Sequence, residues 1–176
     1  MSKDDLFRKF YAKGVRLLAG REHSEVELRK KLLRGGWSRT RSRQAKDHTR
    51  RDLKDSSLPI QNNTCQLNQA VKQLKTDGLL SDARYSESFI YMRTSRGYGP
   101  EYLTNELRKH GISEELIEQG LHSNNICWVD VAKKIVGKHY RNEGTEPTSW
   151  EKKARFLKNR GFPTEVILHC LGNRKG

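Results

Sequence analysis

Apolar residues along this chain recur three or four positions apart, with charged and polar runs between them, which is the period of helices that bury one face. Leu28, Leu32 and Leu33 form one such stripe opposite Arg29, Lys30, Lys31 and Arg34. Leu103 with Leu107, Ile117 with Leu121, Ala154 with Leu157, and Val166, Ile167 and Leu171 form others. Leu6 to Ala19, Asp82 to Thr94 and Val129 to Tyr140 supply three further helical candidates. No stretch alternates with period two over a useful length, so the pattern predicts an all-α chain with essentially no β-sheet.

The punctuation agrees with the periodicity. Ser24 followed by Glu27, and Thr148 followed by Glu151, read as capping boxes in which side chains satisfy the orphan amides of a helix start. Pro100 suits a first helical turn, Ser113 with Glu114 and Glu115 opens another helix, and Pro163 opens the last. Gly35 with Gly36, then Gly111 and Gly161, are expected stops, because glycine takes the left-handed conformation after a helix at little cost.

These elements repeat. Leu107, Gly111, Ile112, Ile117 and Leu121 return fifty residues later as Leu157, Gly161, Phe162, Ile167 and Leu171. Leu28, Leu32, Gly36 and Trp37 precede Leu103, Leu107, Gly111 and Ile112 by 75 residues, while Leu67 and Val71 precede Ile117 and Leu121 by 50. The first copy therefore holds an insert of about 25 residues, in a polar and aperiodic stretch at about 38–66. The expected architecture is three tandem three-helix repeats, at 1–78, 79–124 and 125–176, forming an elongated, curved helical array. A single compact bundle is the alternative architecture.

Composition adds a polyanion to the picture. The 176 residues carry 35 Lys and Arg against 21 Asp and Glu, a formal charge of +14. The net charge is +5 over residues 1–37, +4 over 38–66, −1 over 67–122 and +6 over 123–176, so a near-neutral middle lies between basic ends. Such a distribution suits contact with a polyanion at more than one place, and also a generally basic soluble surface. No apolar window is long enough to span a membrane, and Asp4 and Asp5 stand where a signal peptide would be basic, so a cytoplasmic protein is expected. Cys65, Cys127 and Cys170 form no CxxC pair and indicate neither a disulfide framework nor a zinc site.

Three runs, LLAGREHSEVELRKKLL, VKQLKTDGLLSDARYSESFI and RGYGPEYLTNELRKHGIS, together with the later WEKKARFLKNRGF, carry a family likeness. In this order and at these distances the chain resembles the RecX family of regulators of the RecA recombinase, from about Val15 to Leu171 apart from the insert. The resemblance implies tandem three-helix repeats and a protein that binds the RecA filament on single-stranded DNA. It further implies that such a protein obstructs filament growth and ATP hydrolysis and damps strand exchange and the SOS response. Its partners would be the RecA filament, single-stranded DNA and also double-stranded DNA, with the chain itself a monomer. No cofactor, metal or catalytic step is called for.

An inhibitor of this kind needs a complementary surface, and the basic residues are its candidates. Arg21-x-His23-Ser24 lies in register with Arg96-x-Tyr98-Gly99, which marks an inter-helix turn as either structural or part of a binding face, with Arg93 and Arg96 candidate contacts. Gly97 and Gly99 around Tyr98 permit tight backbone geometry. Lys30, Lys31, Arg34, Arg108, Lys109, Lys158 and Arg160 come late in their helices, where a cation also complements the helix dipole. Lys133, Lys134, Lys138, Lys152, Lys153 and Arg155 join Lys158 and Arg160 in a cluster too dense for capping alone, and contact with acidic RecA surface or phosphate is expected there. The aromatics among them, Trp128, Tyr140, Trp150 and Phe156, are read as core before base-stacking platforms. In the insert, Arg39, Arg41 and Arg43 suit either a phosphate-seeking segment or a solvated loop.

Catalysis finds little support. Asp77 and Asp82 beside a helix start are read as caps before metal ligands, and no phosphate loop, nucleophile elbow or zinc spacing is present. His169 beside Cys170 makes a weak ligand pair, and neither His110 nor His139 has an evident carboxylate partner. The rival functional class is a stand-alone helical DNA-binding protein that affects RecA only by competing for DNA; a nuclease is a third.

Overall fold

The computed structural model describes residues 3–34, 60–123, 125–141 and 149–172, with side chains in the second stretch from Thr64 onward. These residues form nine helices and no strand: α1 Lys3–Gly20, α2 Glu25–Leu33, α3 Ile60–Thr76, α4 Asp82–Ser95, α5 Pro100–Lys109, α6 Glu114–Ser123, α7 Trp128–His139, α8 Trp150–Asn159 and α9 Thr164–Leu171. The chain divides into two compact units, residues 1–80 and residues 81–176.

Within each triplet the first and third helices pack together, α1 on α3, α4 on α6 and α7 on α9, and the middle helix packs across the pair. In the first unit Leu28, Leu32, Leu67, Val71, Leu74 and Leu80 are buried together. In the second, Tyr85, Phe89, Ile90, Leu103, Leu107, Ile112 and Ile117 form one cluster, and Ala132, Leu157, Phe162 and Ile167 form another. The residues that repeat at a distance of fifty thus do the same work twice. Leu107 and Leu157 are fully buried, and each contributes about 1.5–3 kcal/mol of apolar transfer.

The glycine stops share one geometry. After α5 the Gly111 amide donates to the Arg108 carbonyl and the Ile112 amide to the Leu107 carbonyl; after α8 the Gly161 amide donates to Lys158 and the Phe162 amide to Leu157. This is the Schellman pattern, and Gly111 and Gly161 take its left-handed position with φ of 75° and 77°. Gly97 closes α4 the same way, with φ of 77° and the Tyr98 amide donating to the Arg93 carbonyl.

Several local expectations need correction. Leu33 shares the period of the apolar stripe but is 54% exposed, because α2 ends there and buries only Leu28 and Leu32. Residues 60–66, assigned to the aperiodic insert, belong to α3, where Gln66 is buried one position ahead of Leu67. Only half of the first capping box forms as drawn: Ser24 accepts from the Glu27 amide at 3.2 Å, while the Glu27 carboxylate is engaged by Arg21 and Lys31. The N-cap of α8 is Ser149, and Thr148 lies outside the described residues. Ser81, rather than Asp77 or Asp82, caps α4 by accepting from the Arg84 amide; Asp77 instead accepts from the Tyr11 hydroxyl and the Gln73 amide. Gly35 and Gly36 lie outside the described residues.

Candidate partner-binding surface

The turn that recurs between the triplets serves two different ends. In the first unit His23 is buried, its Nδ1 2.8 Å from the Arg21 carbonyl and its Nε2 2.8 Å from Lys31 Nζ. Burial, first of all, lowers its pKa, so the neutral ring donates from Nδ1 and accepts from the Lys31 ammonium at Nε2. Arg21 and Lys31 both reach Glu27, at 2.5 and 3.1 Å. Burial works against the Glu27 carboxylate, but the hydrogen bonds from Arg21 and Lys31 outweigh it and hold its pKa low. Two of the candidate contacts are therefore already spent inside the protein. Lys30 and Arg34 are exposed, with no side-chain ion pair or hydrogen bond among the described residues.

In the second unit the corresponding turn is a joint between triplets. The Gly99 amide donates to the Arg160 carbonyl at 2.8 Å and the Glu101 amide to the Gly161 carbonyl at 3.0 Å. Orphan donors at the start of α5 thus meet carbonyls just past the end of α8. The approach needs glycine: a Cβ on Gly99 would sit 2.6 Å from the Gly161 carbonyl carbon, and one on Gly161 would sit 2.5 Å from Tyr102 Cβ.

Around this joint the cations are held by aromatic faces. Arg93 lies 5.1 Å from the Phe89 ring centroid, 5.6 Å from that of Tyr98 and 6.0 Å from that of Tyr102. Tyr98 and Tyr102 stack at 4.3 Å. Arg160 sits 4.9 Å from Tyr98 and 5.1 Å from Phe156, and its Nη1 donates to the Arg96 carbonyl at 3.0 Å. Phe156 stacks on His139 at 4.3 Å, Tyr140 meets Phe156 edge-on, and Lys153 lies over Tyr140 at 5.9 Å. Trp128 packs against both clusters of the unit, and Trp150 donates from its indole nitrogen to the Gly172 carbonyl. Trp128 and Phe156 thus pack against the apolar clusters, whereas Tyr140 and Trp150 are half-buried and held by ring and hydrogen-bond contacts at the edge of the third triplet.

The remaining candidates fall into two groups. Arg108 makes a two-point pair with Glu114 at 2.6 and 2.9 Å, Lys109 pairs with Glu106 at 2.7 Å, and Lys158 pairs with Glu101 at 3.1 Å. The hydrogen bond to Glu114 raises the Arg108 pKa, and that to Glu106 raises the Lys109 pKa. Arg96, Lys133, Lys134, Lys138, Lys152 and Arg155 are exposed and make no side-chain ion pair or hydrogen bond among the described residues. These six are the candidates of the second unit left open to a partner, spread over the end of α4, α7 and α8. Arg39, Arg41 and Arg43 lie outside the described residues. Phe89 and Tyr102, which complete the Arg93 cradle, escape the sequence reading; the recurrence of tyrosine at Tyr98 and Tyr102, four positions apart, is the available signal.

A "Regulatory protein RecX" of Pseudomonas putida (strain GB-1) is 34% identical to this chain over 159 residues, covering 90% of this chain and 86% of the relative. The chain belongs to the RecX family. Its residues 11–40 match the first three-helix domain of RecX and residues 81–121 the second. A "Regulatory protein RecX" of Serratia proteamaculans (strain 568) is 30% identical, over 89% of this chain and 92% of that one. The crystal structure of RecX from Lactobacillus salivarius shares the fold with a TM-score of 0.70 at 18% identity, covering 96% of each chain. A second structure, of a regulatory protein RecX, has a TM-score of 0.68 at 20% identity, over 96% of this chain and 72% of the other. The matches name regulatory proteins rather than a catalytic family, and no helix among the described residues is long and apolar enough to cross a membrane.

Proposed function

We propose that this chain binds the RecA filament on single-stranded DNA in the cytoplasm and obstructs its extension, thereby lowering ATP hydrolysis, strand exchange and SOS induction, with no catalytic step of its own. Membership of the RecX family, at 34% identity over 90% of the chain, is the observation that carries this reading. The exposed cations Arg96, Lys133, Lys134, Lys138, Lys152 and Arg155 support it, since a filament of protein and DNA presents both phosphates and carboxylates. The paired cations Arg21, Lys31, Arg108, Lys109 and Lys158 act within the protein, Arg93 is held among the aromatic rings of the second triplet, and Arg160 braces the joint between the second and third triplets. The triplets at 1–78, 79–124 and 125–176 are the units through which neighbouring RecA subunits would be bridged.

The test is direct. Purified protein added to RecA on single-stranded DNA should suppress ATP hydrolysis and strand exchange at substoichiometric amounts, and unchanged activity at excess refutes the reading. Competition for DNA by a stand-alone DNA-binding protein is the second reading, favoured by the exposed Lys152 and Arg155. Charge reversal at Lys152, Lys153 and Arg155 separates the two: loss of DNA binding with inhibition intact removes competition.

A further inference from the structure

A groove of about 450 Å³ opens between the end of α4 and α7. Ile126, Val131 and Ile135 give it an aliphatic floor, Arg96, Lys134 and Lys138 are its charged lining residues, and none of the described lining residues is acidic. Tyr91 lines it as well and is 77% exposed, the most exposed of the large apolar side chains described. Thr94, also in the lining, has a buried Oγ1 with no hydrogen-bond partner among the described residues.

Each feature carries a cost in the isolated chain. An apolar ring stands in water, a buried hydroxyl lacks a partner, and three like charges surround one hollow. A polypeptide segment with a large apolar side chain between carboxylates relieves the first and the third, since the side chain covers the floor against Tyr91 and the carboxylates meet the cations, while the Thr94 hydroxyl is buried beneath the groove. A nucleic acid strand fits less well, because its phosphates would meet the three cations but leave the aliphatic floor uncovered, and Tyr91 offers a base only one flat face. We propose that this groove is the docking site for an acidic polypeptide segment bearing a large apolar side chain. The inference stands without the RecA reading, and its test contains no RecA.

The full chain is titrated into a fluorescein-labelled peptide alternating Glu with Leu, into its Glu and Ser counterpart, and into an oligothymidine of matched length, with anisotropy as the readout. The Glu and Leu peptide is expected to bind more tightly than the Glu and Ser one. Tyr91→Asp and the double variant Lys134→Glu/Lys138→Glu should each weaken it by at least about fivefold, while Tyr91→Asp changes oligothymidine binding by less than about twofold. All of these side chains are exposed, and matching melting curves confirm that the variants remain folded. Absence of peptide binding, indifference of the peptide to both variants, or an equal loss of oligothymidine affinity in Tyr91→Asp overturns the proposal, the last assigning the groove to nucleic acid.

Discussion

Replacing Gly99 by alanine isolates the contribution of the joint between the second and third triplets. Gly99 has φ of −89° and ψ of 171°, a conformation alanine adopts freely, so the substitution brings no backbone strain of its own. Its new methyl would lie 2.6 Å from the Gly161 carbonyl carbon and 2.7 Å from the Phe162 nitrogen. Ordinary carbon contacts fall near 3.5–4.0 Å, so the two backbones must part by about 1 Å. The bonds from Gly99 to Arg160 and from Glu101 to Gly161, now 2.8 and 3.0 Å, would then stretch past the range of a hydrogen bond. Two lost bonds at about 0.5–1.5 kcal/mol each give a destabilisation of about 1–3 kcal/mol. Urea denaturation followed by tryptophan fluorescence reads it, because Trp128 packs against the clusters of both triplets. Gly20→Ala is the control, since nothing lies within 4 Å of its added Cβ. A Gly99→Ala protein within about 0.5 kcal/mol of the wild type would refute the claim that backbone contact holds the joint.

Other consequences are open to measurement. Arg160→Lys keeps the charge but loses the planar group lying over Tyr98 and Phe156 and bonded to the Arg96 carbonyl; a loss of about 1–2 kcal/mol is expected in the same denaturation assay, and equal stability of the lysine variant would show that charge alone suffices. His23 has a lowered folded-state pKa, so the unfolded chain takes up a proton at higher pH than the folded one. Its contribution is therefore present above an unfolded pKa of about 6.5 and is lost as pH falls through the lower folded value. Melting temperatures between pH 7.5 and about 5 should fall less steeply in His23→Gln than in the wild type, and parallel curves would count against this role. Removing Lys152 and Arg155 together by alanine should shallow the salt dependence of single-stranded DNA binding by about 1.4 in log–log slope, if each meets one phosphate; an unchanged slope places DNA elsewhere.

Much of the local structure was readable along the chain because it depends on neighbours a turn apart. The i, i+4 leucines, Ser24 at a helix start, Pro100 at the first helical position of α5 and the stops at Gly111 and Gly161 all act within a few residues, and the return of Leu107 and Gly111 as Leu157 and Gly161 exposes the repeated triplet. The readings that went astray were those set by distant atoms or by helix length. Leu33 belongs to the right period but falls at the last turn of a helix too short to bury it, and α3 runs back into a stretch with no apolar period.

By itself, the sequence determined an all-α chain of repeated triplets, its excess of positive charge and its family. Which cations remain available was decided by tertiary structure. Arg21, Arg108 and Lys158 look like Lys152 and Arg155 on paper, yet Lys158 meets Glu101 from 57 residues away and the other two are folded back onto Glu27 and Glu114. The joint is likewise invisible in the chain, because Gly99 and Gly161 are ordinary turn glycines until their backbones meet. A charge or a glycine has the same local signature whatever it faces, and only the packing of helices supplies the partner that turns it into an internal brace or leaves it free for another molecule.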